Sequence, residues 1–215
     1  MENERLKKQL DFIMEIDKEK NILRQTHLSG HGRQENDAEH AWHMAVMIYL
    51  LREYANEEID IAKAMMMALI HDVVEIDAGD TYAYDSEGLS KQKEKEAKAA
   101  ERIFGMLPED QAGELRSIFE EFEEYESPEA RFVHTMDNFQ PLLLNDSNNG
   151  GDWREHRVCS SQIYRRNALT GTGSSEIWDY MEKLIKKNIK KGNISDDQNG
   201  LIRSAAEDKS LKSQI

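Results

Sequence analysis

AMMMALIHDVVEIDAGD, residues 64–80, begins as an apolar helix and ends in ionisable groups. Residues 65–70 are all apolar; His71 and Asp72 follow side by side, then Glu75, then Asp80 just past Gly79. An ionised carboxylate in a low-dielectric interior must be paired, hydrogen-bonded or bound to a metal. Helical spacing predicts that His71 and Glu75 share a face. Asp72 then lies roughly 100° round the axis from His71, near enough for both to reach one ion. The stretch reads as half of a metal site, carried on a helix over residues 59–76.

Outward from this helix the chain reads as helix after helix. Residues 3–17 place Leu6, Leu10, Ile13 and Ile16 at helical spacing. Residues 22–36 hold two glycines and no periodicity, and read as a loop. Asn36 or Asp37 is a good N-cap for a helix through AWHMAVMIYLLREY, with Trp42, Ala45, Val46, Tyr49 and Leu50 as its core stripe. A long charged helix follows from about residue 90, with opposite signs at i,i+4 spacing on a solvated face. Pro108 at a first helical position opens another, and Ser127-Pro128 opens the next. NDSNNGGDW, residues 145–153, is a polar, glycine-rich loop. Helices over 155–168 and 175–191 complete an all-α fold, arranged as one domain over 1–192 and a polar C-terminal extension over 193–215. Trp42 and Met65–Met67 read as core filler, Trp153 as packing, and Cys159 as an inert helix residue.

Composition narrows the function classes. The 215 residues suffice for one hydrophobic core. With 33% charged residues, 3 prolines and a net charge of −14, the chain suits a mostly helical, soluble protein. That charge argues against nucleic acid and anionic membranes as partners. It also requires local cations or a metal wherever an anionic substrate binds. One cysteine fits a reducing compartment, and the charged N-terminus and lack of a long apolar run point to a cytoplasmic location.

Two further segments offer ligand-type residues. His40 stands at the start of the helix that follows RQENDAE, and Asp137 lies inside the apolar run FVHTMDNFQPLLL, with Pro141 four residues on. An aspartate between Met136 and Phe139 calls for a cation or hydrogen-bond donor. His40, His71, Asp72 and Asp137 make a mixed nitrogen and oxygen set without thiolate. Such a set suits Mn²⁺, Co²⁺, Fe²⁺, Ni²⁺, Mg²⁺ or Zn²⁺. Positions left open on the ion make the layout catalytic rather than structural. His43 and His134 stand near enough in sequence to support these ligands, although packing roles suit both.

The order H…HD…D resembles the HD-domain metal-dependent phosphohydrolases, an all-helical bundle family, and within it the 5′-deoxynucleotidase branch. The matching stretches are residues 33–40 (RQENDAEH), His71-Asp72, Glu75, Gly79-Asp80, Leu107–Asp110, Glu123–Glu126 and Ala130–Val133 ahead of Asp137. The resemblance implies His40, His71, Asp72 and Asp137 as metal ligands, and Glu75 and Asp80 as the acidic catalytic pair. It further implies Arg24 or Arg33 as the residue that holds the substrate phosphate and sugar. The chain departs from the pattern at Arg24-Gln25-Thr26, where family members often carry an aromatic or apolar residue, and in a longer loop around Gly30, His31 and Gly32. The implied activity is hydrolysis of a nucleoside 5′-monophosphate by metal-activated water. Another phosphate or pyrophosphate ester, or a metal- or nucleotide-binding module without turnover, are the alternatives. Relatives are often dimeric, and the apolar stripes on the first and last long helices leave room for a homodimer, although packing within one chain explains those stripes equally well.

Overall fold

The computed structural model describes residues 3–30, 32–79 and 86–197, with residues 86–92 described by backbone alone. Asp80 and His31 lie outside the described residues. Among the described residues the fold is all-α apart from one two-stranded hairpin. Its helices are α1 (Glu4–Ile16), α2 (Asp37–Leu51), α3 (Ile61–Ile70), α4 (Glu75–Ala78), α5 (Ser86–Phe104) and α6 (Glu109–Glu124). The long α7 (Pro128–Ser147) is followed by α8 (Gly151–Glu155), α9 (Ser160–Arg166), α10 (Thr170–Gly173) and α11 (Ser175–Lys190).

The centre is a three-helix contact among α2, α3 and α7. Met44, Ile48, Met67, Ala68, Phe132, Val133 and Met136 are buried there together. A second apolar cluster joins α1, α5 and α6 to the end of α3 through Phe12, Ile70, Val73, Ile103, Phe104 and Phe119. His71 and Asp72 therefore leave α3 between two apolar cores.

Helix α2 turns a different face inward from the one its periodicity suggested. Trp42, Val46, Tyr49 and Leu50 are exposed, and of the expected stripe only Ala45 is buried. Residues 41–51 are apolar almost all round, so the pattern carries no phase. The inward face is set by His40, whose polar partners lie on the core side, and Ala41, Met44 and Ile48 follow it. Of the three consecutive methionines only Met67 is fully buried, while Met66 is 40% exposed.

Four other stretches depart from the sequence reading. Residues expected as a loop form an antiparallel hairpin, β1 (Leu23–His27) against β2 (Gln34–Asn36). Helix α3 ends at Ile70, and residues 71–74 form a tight turn with hydrogen bonds of i→i+3 type, such as Glu75 N to Asp72 O at 2.9 Å. His71 and Glu75 are thus joined by a turn, not by a continuous helical face. Helix α7 passes through Pro141 and continues to Ser147, so much of the expected loop is helix. In place of one helix over 155–168 stand α8 and α9, and Cys159 is the N-cap of α9.

Capping fixes where the long helices begin. Ser127 caps α7 with Pro128 at the first turn, and Glu109 follows Pro108, which is the cap residue of α6 and not its first helical position. Helix α10 approaches α7 so closely that a Cβ on Gly173 would lie 2.2 Å from the Arg131 carbonyl oxygen. Only glycine fits that crossing. Past Gly192, Ile194 is buried, and Ser195 exchanges backbone hydrogen bonds with Val158 and Ser160 at 3.1 and 2.8 Å.

Candidate active site

The first turn of α2 is locked by a reciprocal cap. Asn36 accepts from Glu39 N at 2.9 Å, and Glu39 accepts from Asn36 N at 3.2 Å. This places His40 one turn in and fully buried. Its Nδ1–H donates to the Gln140 side-chain oxygen at 3.1 Å. Gln140, on α7, is oriented in turn because its amide nitrogen donates to Glu35 at 2.6 Å and to His43 Nδ1 at 3.1 Å. The proton is thereby held on Nδ1 of His40. The Nε2 edge faces Asp137 Oδ1, also on α7, at 3.1 Å.

His71 is arranged in the same way. Its Nδ1–H donates to the Ala68 carbonyl at 2.8 Å. Its Nε2 lies 3.1 Å from Asp72 Oδ2 but makes no hydrogen bond among the described residues, although it is buried. With Nδ1 held by a carbonyl, Nε2 is the ring nitrogen turned to the cluster, and a metal would take it in place of the proton that Asp72 favours there. His40, His71 and Asp72 present ligand atoms within 4.8 Å of one another, and Asp137 stands beside them. Four N and O donors on α2, the α3 turn and α7 fit a hard or borderline divalent cation.

Arg24 reaches the same point from β1. Its Nη1 donates to Asp72 Oδ2 at 2.7 Å and to Asp37 Oδ1 at 3.3 Å, and its Nη2 lies 4.0 Å from Asp137 Oδ1. Strand β1 is held by the segment that follows α7. Asp152 accepts from the His27 backbone N–H at 3.0 Å and pairs with its ring at 2.8 Å, while Asn148 donates to the carbonyls of His27 and Leu28 at 3.1 and 3.0 Å. The polar stretch after Asn145 thus positions an arginine.

The charges interact strongly. Burial pulls the His71 imidazole down, but Asp72 and then Asp137 outweigh it and raise its pKa to about 9. Burial opposes ionisation of Asp72, and His71 with Arg24 overcomes it, holding the carboxyl well below its usual range. Asp137 is likewise held low against burial, by His40 and then Arg166. Burial, reinforced by Asp72, pushes Glu19 up to about 8.

A cavity of about 640 Å³ opens on this cluster. That volume lies within the range for small-molecule sites. Arg24, His71, Asp72, Glu75 and Asp137 line it, whereas His40 sits behind Asp137. Glu75 begins α4 on the cavity wall. Arg33 is not brought to the cavity: it pairs with Glu39 at 2.8 Å on the surface, with its side chain 58% exposed. His134 does not bond Asp137. Its Nε2–H donates to the Phe122 carbonyl at 2.9 Å, and its ring is stacked between Phe122 and Tyr125.

Two groups of site residues escaped the sequence reading. Gln140 is a neutral amide in an apolar helix and carried no signal. Arg165 and Arg166, in the last turn of α9, line the far side of the cavity. They are the chain's only adjacent arginines, a feature visible in an acidic sequence.

A family model described as HD domain matches residues 16–178. A human protein named 5′-deoxynucleotidase HDDC2 is 31% identical over 111 residues, covering 52% of this chain and 53% of that protein. The chain thus spans about half the length of the curated relatives it matches. A crystal structure of a protein named predicted metal-dependent phosphohydrolase, from Magnetospirillum magnetotacticum MS-1, is 44% identical with a TM-score of 0.84. It covers 88% of this chain and 95% of its own. A conserved hypothetical protein from Pyrococcus furiosus shares the fold at 24% identity and a TM-score of 0.55, over 80% of this chain and 99% of its own.

Proposed function

The chain belongs to the HD-domain family, and from that premise we propose that it is a divalent-metal-dependent phosphohydrolase that releases phosphate from a nucleoside 5′-monophosphate. The observation that carries this reading is the cluster of His40, His71 and Asp72, with Asp137 and Arg24 beside it, next to the cavity. The names of the human and Magnetospirillum relatives point the same way.

His40, His71, Asp72 and Asp137 would hold the cation. When bound, it supplies charge neutralisation to the phosphoryl group and makes water more acidic near neutral pH. The reaction adds water to phosphorus and breaks the bond to the ester oxygen, yielding a nucleoside and inorganic phosphate. Phosphoryl transfer depends mainly on in-line positioning and on stabilising charge at the equatorial oxygens. Arg24 suits that task because a guanidinium pairs with phosphate through two parallel hydrogen bonds. Glu75, on the cavity wall, takes the proton from water or returns one to the leaving oxygen. Asp80 is the second carboxylate in this scheme.

Phosphate release is the test. Chelator-treated protein is supplied with Mn²⁺ or Co²⁺ and a panel of ribo- and deoxyribonucleoside 5′-monophosphates. Wild type releases phosphate only with metal, and Glu75→Gln lowers kcat by about 100-fold or more, as expected for loss of a general acid or base. Mn²⁺ binding without release from any substrate would instead identify a binding module.

The same proposal covers the setting of the enzyme. It comprises one catalytic domain over 1–192 with an extension over 193–215 whose first residues pack on that domain, a cytoplasmic location and a homodimeric assembly, without nucleic acid or membrane as partners. No helix among the described residues is long and apolar enough to cross a membrane. Exposed apolar residues on α1 and α2 support a second copy as partner.

A further inference from the structure

A phosphate ester entering this cavity meets an acidic protein of net charge −14. Among the described lining residues, Arg24, Arg165 and Arg166 carry fixed positive charge, against carboxylates that include Asp72, Glu75 and Asp137. Arg24 and Arg166 approach Asp137 from different elements and on different oxygens. Nη2 of Arg24 is 4.0 Å from Oδ1, and Nη2 of Arg166 is 3.5 Å from Oδ2. The two guanidinium groups bracket one carboxylate.

Their commitments differ. Arg24 is 13% exposed and already held by Asp72 at 2.7 Å and Asp37 at 3.3 Å. Arg166 is 32% exposed, and its long contact with Asp137 is its one ion pair among the described residues. A weak, partly solvated pair costs little to exchange. A dianionic phosphate offers a guanidinium shorter, bidentate contacts.

We propose that Arg166 is a second phosphate-binding residue of this site, exchanging Asp137 for the substrate phosphate when Asp137 ligates a cation. The assignment rests on the hydrolase reading above. It gives the phosphate two guanidinium groups, one from β1 and one from α9, on either side of Asp137. Arg165 supplies general positive potential at the rim.

Inorganic phosphate is the probe. Its binding to Mn²⁺-loaded protein is measured by calorimetry for wild type, Arg166→Gln, Arg166→Lys and Arg165→Gln, and Mn²⁺ binding is measured separately without phosphate. Arg166→Gln weakens phosphate binding by about tenfold to a hundredfold, the range for a hydrogen bond between charged groups. Arg166→Lys restores part of the loss, and Arg165→Gln costs a few-fold at most, as an exposed charge does. Mn²⁺ binding to Arg166→Gln is as tight as to wild type or tighter, because a cation beside Asp137 has been removed. Unchanged phosphate binding in Arg166→Gln overturns the assignment, as does an equal loss in Arg165→Gln. Weakened Mn²⁺ binding in Arg166→Gln would make the residue a prop for Asp137 and overturn it as well. If wild type holds Mn²⁺ but binds no phosphate and turns over no monophosphate, the hydrolase reading falls along with it.

Discussion

A neutral imidazole ligates a cation through one ring nitrogen while the other keeps its proton, and Gln140 holds that proton on Nδ1 of His40. The same amide also donates to Glu35 and His43, so one buried side chain orients three neighbours. Gln140→Leu keeps similar bulk but leaves the His40 Nδ1–H and the buried Glu35 carboxylate without it. Each such buried polar group costs about 1–3 kcal/mol when it loses its partner. Removing a group that orients a ligand lowers metal affinity by about 10–100-fold. Urea unfolding of chelator-treated protein and a Mn²⁺ titration of the same variant check both effects. An affinity equal to wild type would remove Gln140 from the site. The ionisable candidates were legible in the sequence because a histidine or aspartate in an apolar run stands out by its desolvation cost. Gln140 and Arg166 were not, because their roles arise only when α7 packs against α2 and α9 folds over the cavity.

At the scale of elements, the joint between α6 and α7 ties stability to pH. Tyr125 ends α6 in the left-handed conformation, with φ of 60°, which costs an L-residue about 1–2 kcal/mol. The stack of Phe122, His134 and Tyr125 holds it there. Burial pulls the His134 imidazole down to about 4, from an ordinary 6.5. Above pH 6.5 the ring is neutral in both folded and unfolded chains, and its contribution is complete. As pH falls from 6.5 towards 4, the unfolded chain takes up a proton that the folded one refuses, and stability drops by about 2–3 kcal/mol. Glu19 acts in the opposite sense: its raised pKa costs stability as pH rises from 4.5 to about 8. The quantity to measure is therefore the difference between wild type and His134→Asn in urea unfolding at stepped pH. Wild type's advantage shrinks by that amount between pH 7 and pH 4, whereas a constant difference would show that His134 does not titrate as described. Helix starts at Asn36 and Ser127 were readable because capping is local chemistry. The inward face of α2 was not, since an almost wholly apolar helix has no phase until His40 meets Gln140. The β1–β2 hairpin was missed because its short, mostly polar strands show no alternation, and part of what braces it, Asn148 and Asp152, lies more than a hundred residues away.

Over the whole molecule, the apolar surface is distributed unevenly. On α2, Trp42, Val46, Tyr49 and Leu50 form one exposed stripe at i, i+4, i+7 and i+8 spacing, and Arg52 lies over the Tyr49 ring at 4.6 Å. On α1, Leu6, Leu10, Ile13 and Met14 form another, 48–67% exposed. Helix α1 keeps its hold on the body through Phe12, so its stripe is not needed for packing. Tryptophan, tyrosine and arginine dominate the energetic centres of protein interfaces, whereas leucine is under-represented there. The α2 face therefore suits a self-complementary contact about a two-fold axis better than the aliphatic α1 face, and a second copy presents the same patch. At a net charge of −14 two copies repel at long range, but added salt screens that repulsion within about a nanometre. Association should accordingly tighten as salt rises. Sedimentation at micromolar concentration and physiological salt shows a dimer for wild type. Trp42→Glu with Leu50→Glu sediments as a monomer with unchanged helix content, and Leu10→Glu with Met14→Glu stays dimeric. A wild type that sediments as a monomer at every salt concentration would sink the assembly, and loss of the dimer only in the α1 pair would move the interface to that helix.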